Sequence, residues 1–214
     1  VLLKDGNMLY PEIQIFIEEE IIRQEMVPSR LEMLQPIIHF IRAEREANRT
    51  IQLQFICTHN SRRSHLAQIW AQVAASYHQV PFVYCYSGGT IQTSIYGQIL
   101  SALSSVGFQI HHLSEGVQTI LAIQYSDHYP PVIGFSKKYD HPFQPVDGFA
   151  AIMTCSEADQ GCPSIPGASA RFALPYEDPK FSDGSYEEAQ TYLARSLQIA
   201  SEMFYVFGQI KGLR

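Results

Sequence analysis

Residues 55 to 66, FICTHNSRRSHL, set Cys57 at the end of an apolar run and Arg63 six positions later, beside a second arginine, Arg62. A loop that closes a strand and opens a helix turns successive backbone N–H groups towards one point at the positive end of the helix dipole. That makes an anion site. An arginine there adds a planar fork for two oxygens of a tetrahedral oxyanion. The same donors favour the ionised form of Cys57, and the thiolate is the nucleophilic form. The chemistry expected is attack by Cys57 on the central atom of an oxyanion held by Thr58, His59, Asn60, Ser61, Arg62, Arg63 and Ser64. Asn60 and Ser61 are expected to hydrogen-bond the loop and the sulfur. His59 reads as shaping the loop rather than as a base, and Arg62 as an oxyanion ligand or a solvated basic neighbour.

A second pair of cysteines, Cys155 and Cys162 in MTCSEADQGCP, stands seven residues apart. In a regular helix that spacing is roughly 10 Å along the axis, whereas a disulfide needs Cα atoms within about 7 Å. Joining the two requires the segment to bend or unwind, and Gly161 and Pro163 oppose a stable helix there. The plainer alternative is two buried thiols packed as small hydrophobes. Zinc fits less well, because the spacing is not that of a tight ligand pair and His128 and His141 do not cluster with it. Cys85, inside an apolar run, reads as structural, and His111 and His112 show no partner. Asp178 precedes Pro179, and on its own an Asp-Pro pair reads as a turn.

These residues need a scaffold. IQLQFIC (51–57) reads as a strand and SHLAQIWAQVAASYHQV as a helix with Leu66, Ile69, Trp70, Val73 and Ala74 on one side. VPFVYCYS reads as a second strand ending at Gly88-Gly89, followed by a helix over 93–106 that Gly107 terminates. VDGFAAIMTC predicts a buried strand that delivers Cys155, SARFALPYE a strand that delivers Asp178, and the closing segment a long helix starting near Ser182 or Ser185. Such βα alternation specifies a parallel sheet with flanking helices. Upstream, apolar spacing predicts one helix from Leu9 to about Met26. A second is capped by Ser29 with Glu32, buries Leu31, Leu34, Ile38 and Ile41, and is interrupted or kinked at Pro36. Residues 118–145 hold two β-like runs around Pro130-Pro131, read as an inserted hairpin.

With 214 residues, 46% hydrophobic and 17% charged, the chain has the composition of an ordinary globular α/β protein with one substantial core. Its net charge of −6 argues against a broad nucleic-acid surface and confines any anion site to a local pocket. No run has the length of a membrane span and no signal-peptide layout opens the chain, so the expectation is a cytoplasmic protein without a membrane partner. Four cysteines in a reducing compartment are thiols by default.

FICTHNSRRSHLAQIWA, YSGGT after the second strand, EDP near the last helix and MTCSEADQGCP together resemble the low-molecular-weight protein tyrosine phosphatase superfamily, within it the thioredoxin-coupled arsenate reductases. The resemblance covers about residues 50 to 210, which makes 50–214 one domain, with 1–49 as an N-terminal helical extension and about 118–145 as the insertion. It implies a three-layer α/β/α fold with a central four-stranded parallel sheet. It also implies Asp178 as the acid that protonates the leaving oxygen, with Glu177 as the fallback. Cys57 would attack arsenate, Cys155 would attack Cys57 and release arsenite, and Cys162 would take Cys155 into a disulfide reduced by thioredoxin. No cofactor and no metal are implied, since Gln68 stands where potassium-using members carry glutamate. The alternative is a phosphatase acting on phosphotyrosine or a small phosphate monoester through a phosphocysteine, although Lys180 and Phe181 replace the aromatic pair that follows Asp-Pro in that branch. A third reading is a binding or regulatory protein that holds an oxyanion without turnover.

Overall fold

The computed structural model describes residues 8–114, 116, 118–161 and 164–210. In chain order the elements are α1 (Pro11–Phe16) running into a π-helical turn (Ile17–Ile21), α2 (Pro28–Glu46), β1 (Ile51–Cys57), α3 (Arg63–Tyr77), β2 (Val83–Gly89), α4 (Gly97–Ser104), β3 (Gln109–His112), β4 (Leu121–Gln124) and β5 (Val132–Gly134). There follow β6 (Phe149–Met153), α5 (Ser156–Gly161), β7 (Ala168–Ala173), a 3-10 turn (Pro179–Ser182) and α6 (Glu188–Gly208). Strands β2, β1, β6 and β7 lie in that order, each neighbouring pair parallel. Among the described residues a separate antiparallel sheet, β3-β4-β5, holds the expected hairpin with Pro130-Pro131 in its turn.

The central strands β1 and β6 are buried almost throughout, as a sheet covered on both faces requires. Alternate residues serve different faces. Leu53, Phe55, Ala150 and Ile152 join the larger core with Trp70 of α3 and Phe207 of α6. Ile56, Cys57, Ala151 and Met153 join a smaller cluster with Cys155, Ala158 of α5 and Ile165. The two clusters are therefore unequal, and Cys57, at the strand end where the alternation stops, joins Cys155 in the smaller one. Helix α3 is buried on nearly every side, and its small residues Ala67, Ala71 and Ala74 let it lie close to the sheet. Its Trp70 donates from Nε1 to Ser196 Oγ of α6 at 2.8 Å, which satisfies the only polar atom of that ring.

Several element boundaries differ from expectation. The first N-terminal helix is not one α-helix from Leu9 to Met26: it changes to π geometry at Ile17, which keeps Ile13, Ile17 and Ile21 all in the core. Ser29 does not cap α2, because Pro28 occupies the first turn with its φ already helical and Val27 takes the cap position. Leu31 is only partly buried, while Leu34, Ile37, Ile38 and Ile41 face the core. Pro36 sits inside a helix that continues to Glu46. Helix α4 starts at Gly97 rather than 93, and α6 at Glu188 rather than near Ser182 or Ser185, since Asp178 and Pro179 fold the intervening residues into a 3-10 turn. Strand β7 stops at Ala173, so Asp178 rides on that turn rather than on the strand end.

The outer rim of β2 is closed by side chains. Gln72 accepts from Cys85 N at 3.1 Å and donates to Val83 O at 3.2 Å, Gln68 donates to Cys85 O at 3.0 Å, and Gln144 donates to Ser87 O at 2.7 Å.

Candidate active site

Six consecutive carbonyls, Cys57 to Arg62, all accept hydrogen bonds from around the loop. Cys57 O takes Thr90 N, Thr58 O takes Ile91 N, Ser61 O takes Tyr96 N, and Arg62 O takes His65 N. His59 O receives the hydroxyls of Thr93 at 2.9 Å and Ser136 at 3.3 Å, and Asn60 O faces His65 Nε2 at 3.0 Å. Within a trans peptide C=O and N–H point opposite ways, so carbonyls tied outward leave the following N–H groups facing the inside of the loop. The turn is completed at Asn60, whose φ of 45° is the left-handed conformation that asparagine tolerates. Gly89 at the end of β2 makes room for it. A Cβ there would stand 2.8 Å from Asn60 N, 2.8 Å from Thr58 O and 2.4 Å from Ile91 O.

Cys57 lies at the end of β1, buried, with its sulfur 3.0 Å from Ser64 Oγ. Asn60 Nδ2 donates to the same Ser64 oxygen at 2.9 Å, which leaves the serine hydroxyl proton for the sulfur. Asn60 Oδ1 accepts Lys137 N at 2.8 Å. Thr58 and Asn60 thus face the interior, whereas the His59 side chain is exposed. Ser61 is buried and meets the rest of the site through its carbonyl.

Arg63, the first residue of α3, donates from Nη1 to Tyr176 O at 2.9 Å and from Nη2 to Asp178 Oδ2 at 2.5 Å. Asp178 Oδ1 caps the 3-10 turn by accepting Lys180 N at 3.1 Å. Glu177 points elsewhere, paired with Arg195 at 2.9 Å. Arg62 is neither a solvated neighbour nor free for an oxyanion. Its Nε donates to Tyr192 OH at 2.5 Å, its Nη2 to Asp183 Oδ2 at 2.6 Å, and its guanidinium lies 4.0 Å from the Tyr96 ring centre. Burial works against its charge, but Tyr192 and Asp183 outweigh that and raise its pKa.

Cys155 follows β6 and is buried, with its sulfur 3.4 Å from Thr58 Oγ1 and 3.4 Å from Ala158 N at the start of α5. Burial raises its pKa, partly opposed by Thr58, Ala158 and Arg63. Cys57, Cys85 and Cys155 are free thiols. The loop and the sulfur of Cys155 are thus brought together, while Cys162 lies outside the described residues. Cys85 sits in β2, and burial pushes its thiol up. His111 and His112 are on exposed β3.

Two groups beneath the loop carry no mark in the sequence. His65 is fully buried, and burial together with the nearby Lys137 charge lowers its pKa to about 3. Neutral, it must donate from Nε2 to Asn60 O, so Nδ1 accepts from Ser87 Oγ at 3.2 Å. Lys137 is buried too, with Nζ 3.1 Å from Phe135 O and 4.2 Å from the Phe135 ring centre, and burial lowers its pKa to about 7. A histidine in a helical run and a lysine in a loop signal exposure by composition alone. Away from the loop, a cavity of about 660 Å³ opens on the outer side of β2, lined by rings such as Tyr84, Tyr86 and Tyr125 and by no charged residue.

No family model and no curated protein matches the chain. Among solved structures its fold is similar to that of arsenate reductase from Archaeoglobus fulgidus DSM 4304, at 16% identity over 73% of this chain and 98% of that one, with a TM-score of 0.47. It is likewise similar to a low molecular weight phosphotyrosine phosphatase from Vibrio cholerae O395, at 18% identity over 76% and 99% of the two chains, TM-score 0.46. A third is the YwlE arginine phosphatase from Geobacillus stearothermophilus, at 14% identity over 75% and 92%, TM-score 0.47. At these values the likeness is one of fold and says nothing of activity.

Proposed function

We propose that the chain is a cysteine-dependent oxyanion enzyme that reduces arsenate to arsenite. Inward N–H groups and the Arg63 fork hold the tetrahedral oxyanion, displacing Asp178 from the fork. The Cys57 thiolate attacks arsenic, an S–As bond forms, and an arsenate oxygen departs as water with a proton from Asp178. Cys155 then attacks the sulfur of Cys57. A disulfide forms, the S–As electron pair stays on arsenic, and As(V) leaves as As(III), the two thiols having supplied both electrons. Cys162 in turn attacks Cys155, freeing Cys57, and a thioredoxin-type dithiol reduces the resulting Cys155–Cys162 disulfide in a cytoplasmic setting.

The observation that carries this reading is the seat of Cys155. Its sulfur touches Thr58, the residue next to the nucleophile, and shares an apolar cluster with Cys57. Arsenate-dependent NADPH oxidation with thioredoxin and its reductase is the test. Turnover in the wild type and its loss in Cys57→Ser, Cys155→Ser and Cys162→Ser are expected; turnover that survives Cys155→Ser would refute the relay.

A second reading, hydrolysis of a phosphate monoester through a phosphocysteine, draws on the seat of Asp178 against Arg63. In that reaction the S–P bond replaces the P–O bond, Asp178 protonates the leaving oxygen, and its carboxylate then takes a proton from the water that cleaves S–P. Hydrolysis of p-nitrophenyl phosphate that persists in Cys155→Ser, without any arsenate turnover in the wild type, would favour it.

A further inference from the structure

The turn that carries Asp178 is gripped at both ends by adjacent arginines. Arg63 holds Asp178, which precedes the turn, and Arg62 holds Asp183, which follows it. Between them the turn is internally braced: Ser182 Oγ donates to Pro179 O at 2.8 Å and Asp183 N to Lys180 O at 3.0 Å. A short braced turn moves as a unit, so a hold on Asp183 sets where Asp178 sits.

The two grips differ in what else they must do. Under the reading above, the oxyanion takes the Arg63 fork, and the Arg63–Asp178 bond is given up when the acid is needed. The Arg62 grip has no such competitor. Its guanidinium is committed through the Nε/Nη2 edge and one face, to Tyr192 OH, Asp183 and the Tyr96 ring. Those partners are themselves fixed: Tyr192 OH donates to Asp183 Oδ1 at 2.6 Å and Tyr96 OH to Glu188 Oε1 at 2.6 Å. A lysine, with one compact charge, lacks the planar fork that meets Tyr192 OH and Asp183 Oδ2 side by side.

We infer that Arg62 is a positioning residue for Asp178: its tie to Asp183 keeps the acid turn over the oxyanion loop once the oxyanion has taken Arg63. This rests on the reading of Asp178 as the acid. A merely structural tie would slow all substrates alike. Lost positioning instead penalises leaving groups that need a proton.

The test compares Arg62→Met, Arg62→Lys and Asp183→Asn with wild type and Asp178→Asn on p-nitrophenyl phosphate, a good leaving group, and phenyl phosphate, a poor one. Hydrogen exchange of residues 179–187 is followed with saturating inorganic phosphate. For the three variants, kcat on phenyl phosphate should fall about tenfold further than kcat on p-nitrophenyl phosphate, moving towards the ratio of Asp178→Asn. Adding Asp183→Asn to Arg62→Met should cost little more, because both break one contact. Exchange in 179–187 with phosphate bound should rise about tenfold or more in Arg62→Met as the tie is lost. An equal fall on both substrates, or unchanged exchange, overturns the inference. If the wild type hydrolyses neither ester, the hydrolase reading fails, and the exchange comparison alone decides whether Arg62 holds the turn.

Discussion

Arg30 of α2 and Glu202 of α6, 172 positions apart, meet in a two-pronged pair, Nε to Oε1 at 2.8 Å and Nη2 to Oε2 at 2.7 Å. Arg30 Nη1 also donates to Pro175 O at 2.9 Å, and Tyr176 OH donates to Glu202 Oε2 at 2.8 Å. Helix α2 therefore braces the segment whose Tyr176 carbonyl receives Arg63.

Arg30→Met leaves Glu202, only 2% exposed at its side chain, charged and without its main partner. Breaking a buried pair from one side costs about 3–5 kcal/mol, and replacing both members costs less. Urea unfolding should therefore show Arg30→Met well below Arg30→Met/Glu202→Leu.

Ser64→Ala removes the hydroxyl 3.0 Å from the Cys57 sulfur without touching the charge of Arg63. A buried hydrogen bond contributes about 0.5–1.5 kcal/mol, and the alanine also leaves Asn60 Nδ2 without its acceptor, so urea unfolding should show Ser64→Ala less stable by about 1–3 kcal/mol. An unchanged midpoint would show that neither bond contributes to stability.

Gly89→Ala forces a Cβ against three backbone atoms at 2.4–2.8 Å, two of them in the loop that follows Cys57. Backbone cannot yield as a side-chain tip can. Phosphate binding measured by calorimetry should be lost, with the circular dichroism of the sheet retained.

Stability should depend on pH through the two groups under the loop. His65 holds a proton only below about 3 when folded, against 6.5 as its ordinary value, so the unfolded chain binds more protons between those limits. Stability therefore falls as pH drops from about 6.5 towards 3. Lys137, about 7 folded against 10.5 ordinarily, has the same sign in a higher window: stability rises as pH climbs from about 7 towards 10.5. Melting temperatures of wild type and Lys137→Met across pH 7 to 9 check this, since the variant should lose the rise.

The sheet was legible because β1 and β6 are short apolar runs bounded by turn residues, and the loop from Cys57 to Arg63 because it sits between a strand and a helix whose periods differ. Arg62 was not. Its partners, Asp183 and Tyr192, are 121 and 130 positions away, and no local pattern encodes a contact made by folding a distant turn back onto the loop. Lys137 and His65 were missed for the same kind of reason: Lys137 is buried where its segment bonds to the end of β2, and His65 where α3 meets the loop and Ser87. The start of α6 was misjudged because Ser182 and Ser185 have the chemistry of caps, yet Ser182 Oγ is spent on Pro179 O.

An open parallel sheet has two rims, and each exposed rim is a surface on which a foreign strand can anneal. At the β2 rim of this protein the outward carbonyls of Val83, Cys85 and Ser87 and the amide of Cys85 are already engaged by glutamine side chains. A strand from a crowding copy of the chain would have to displace those glutamines, which makes self-association through that stretch costly.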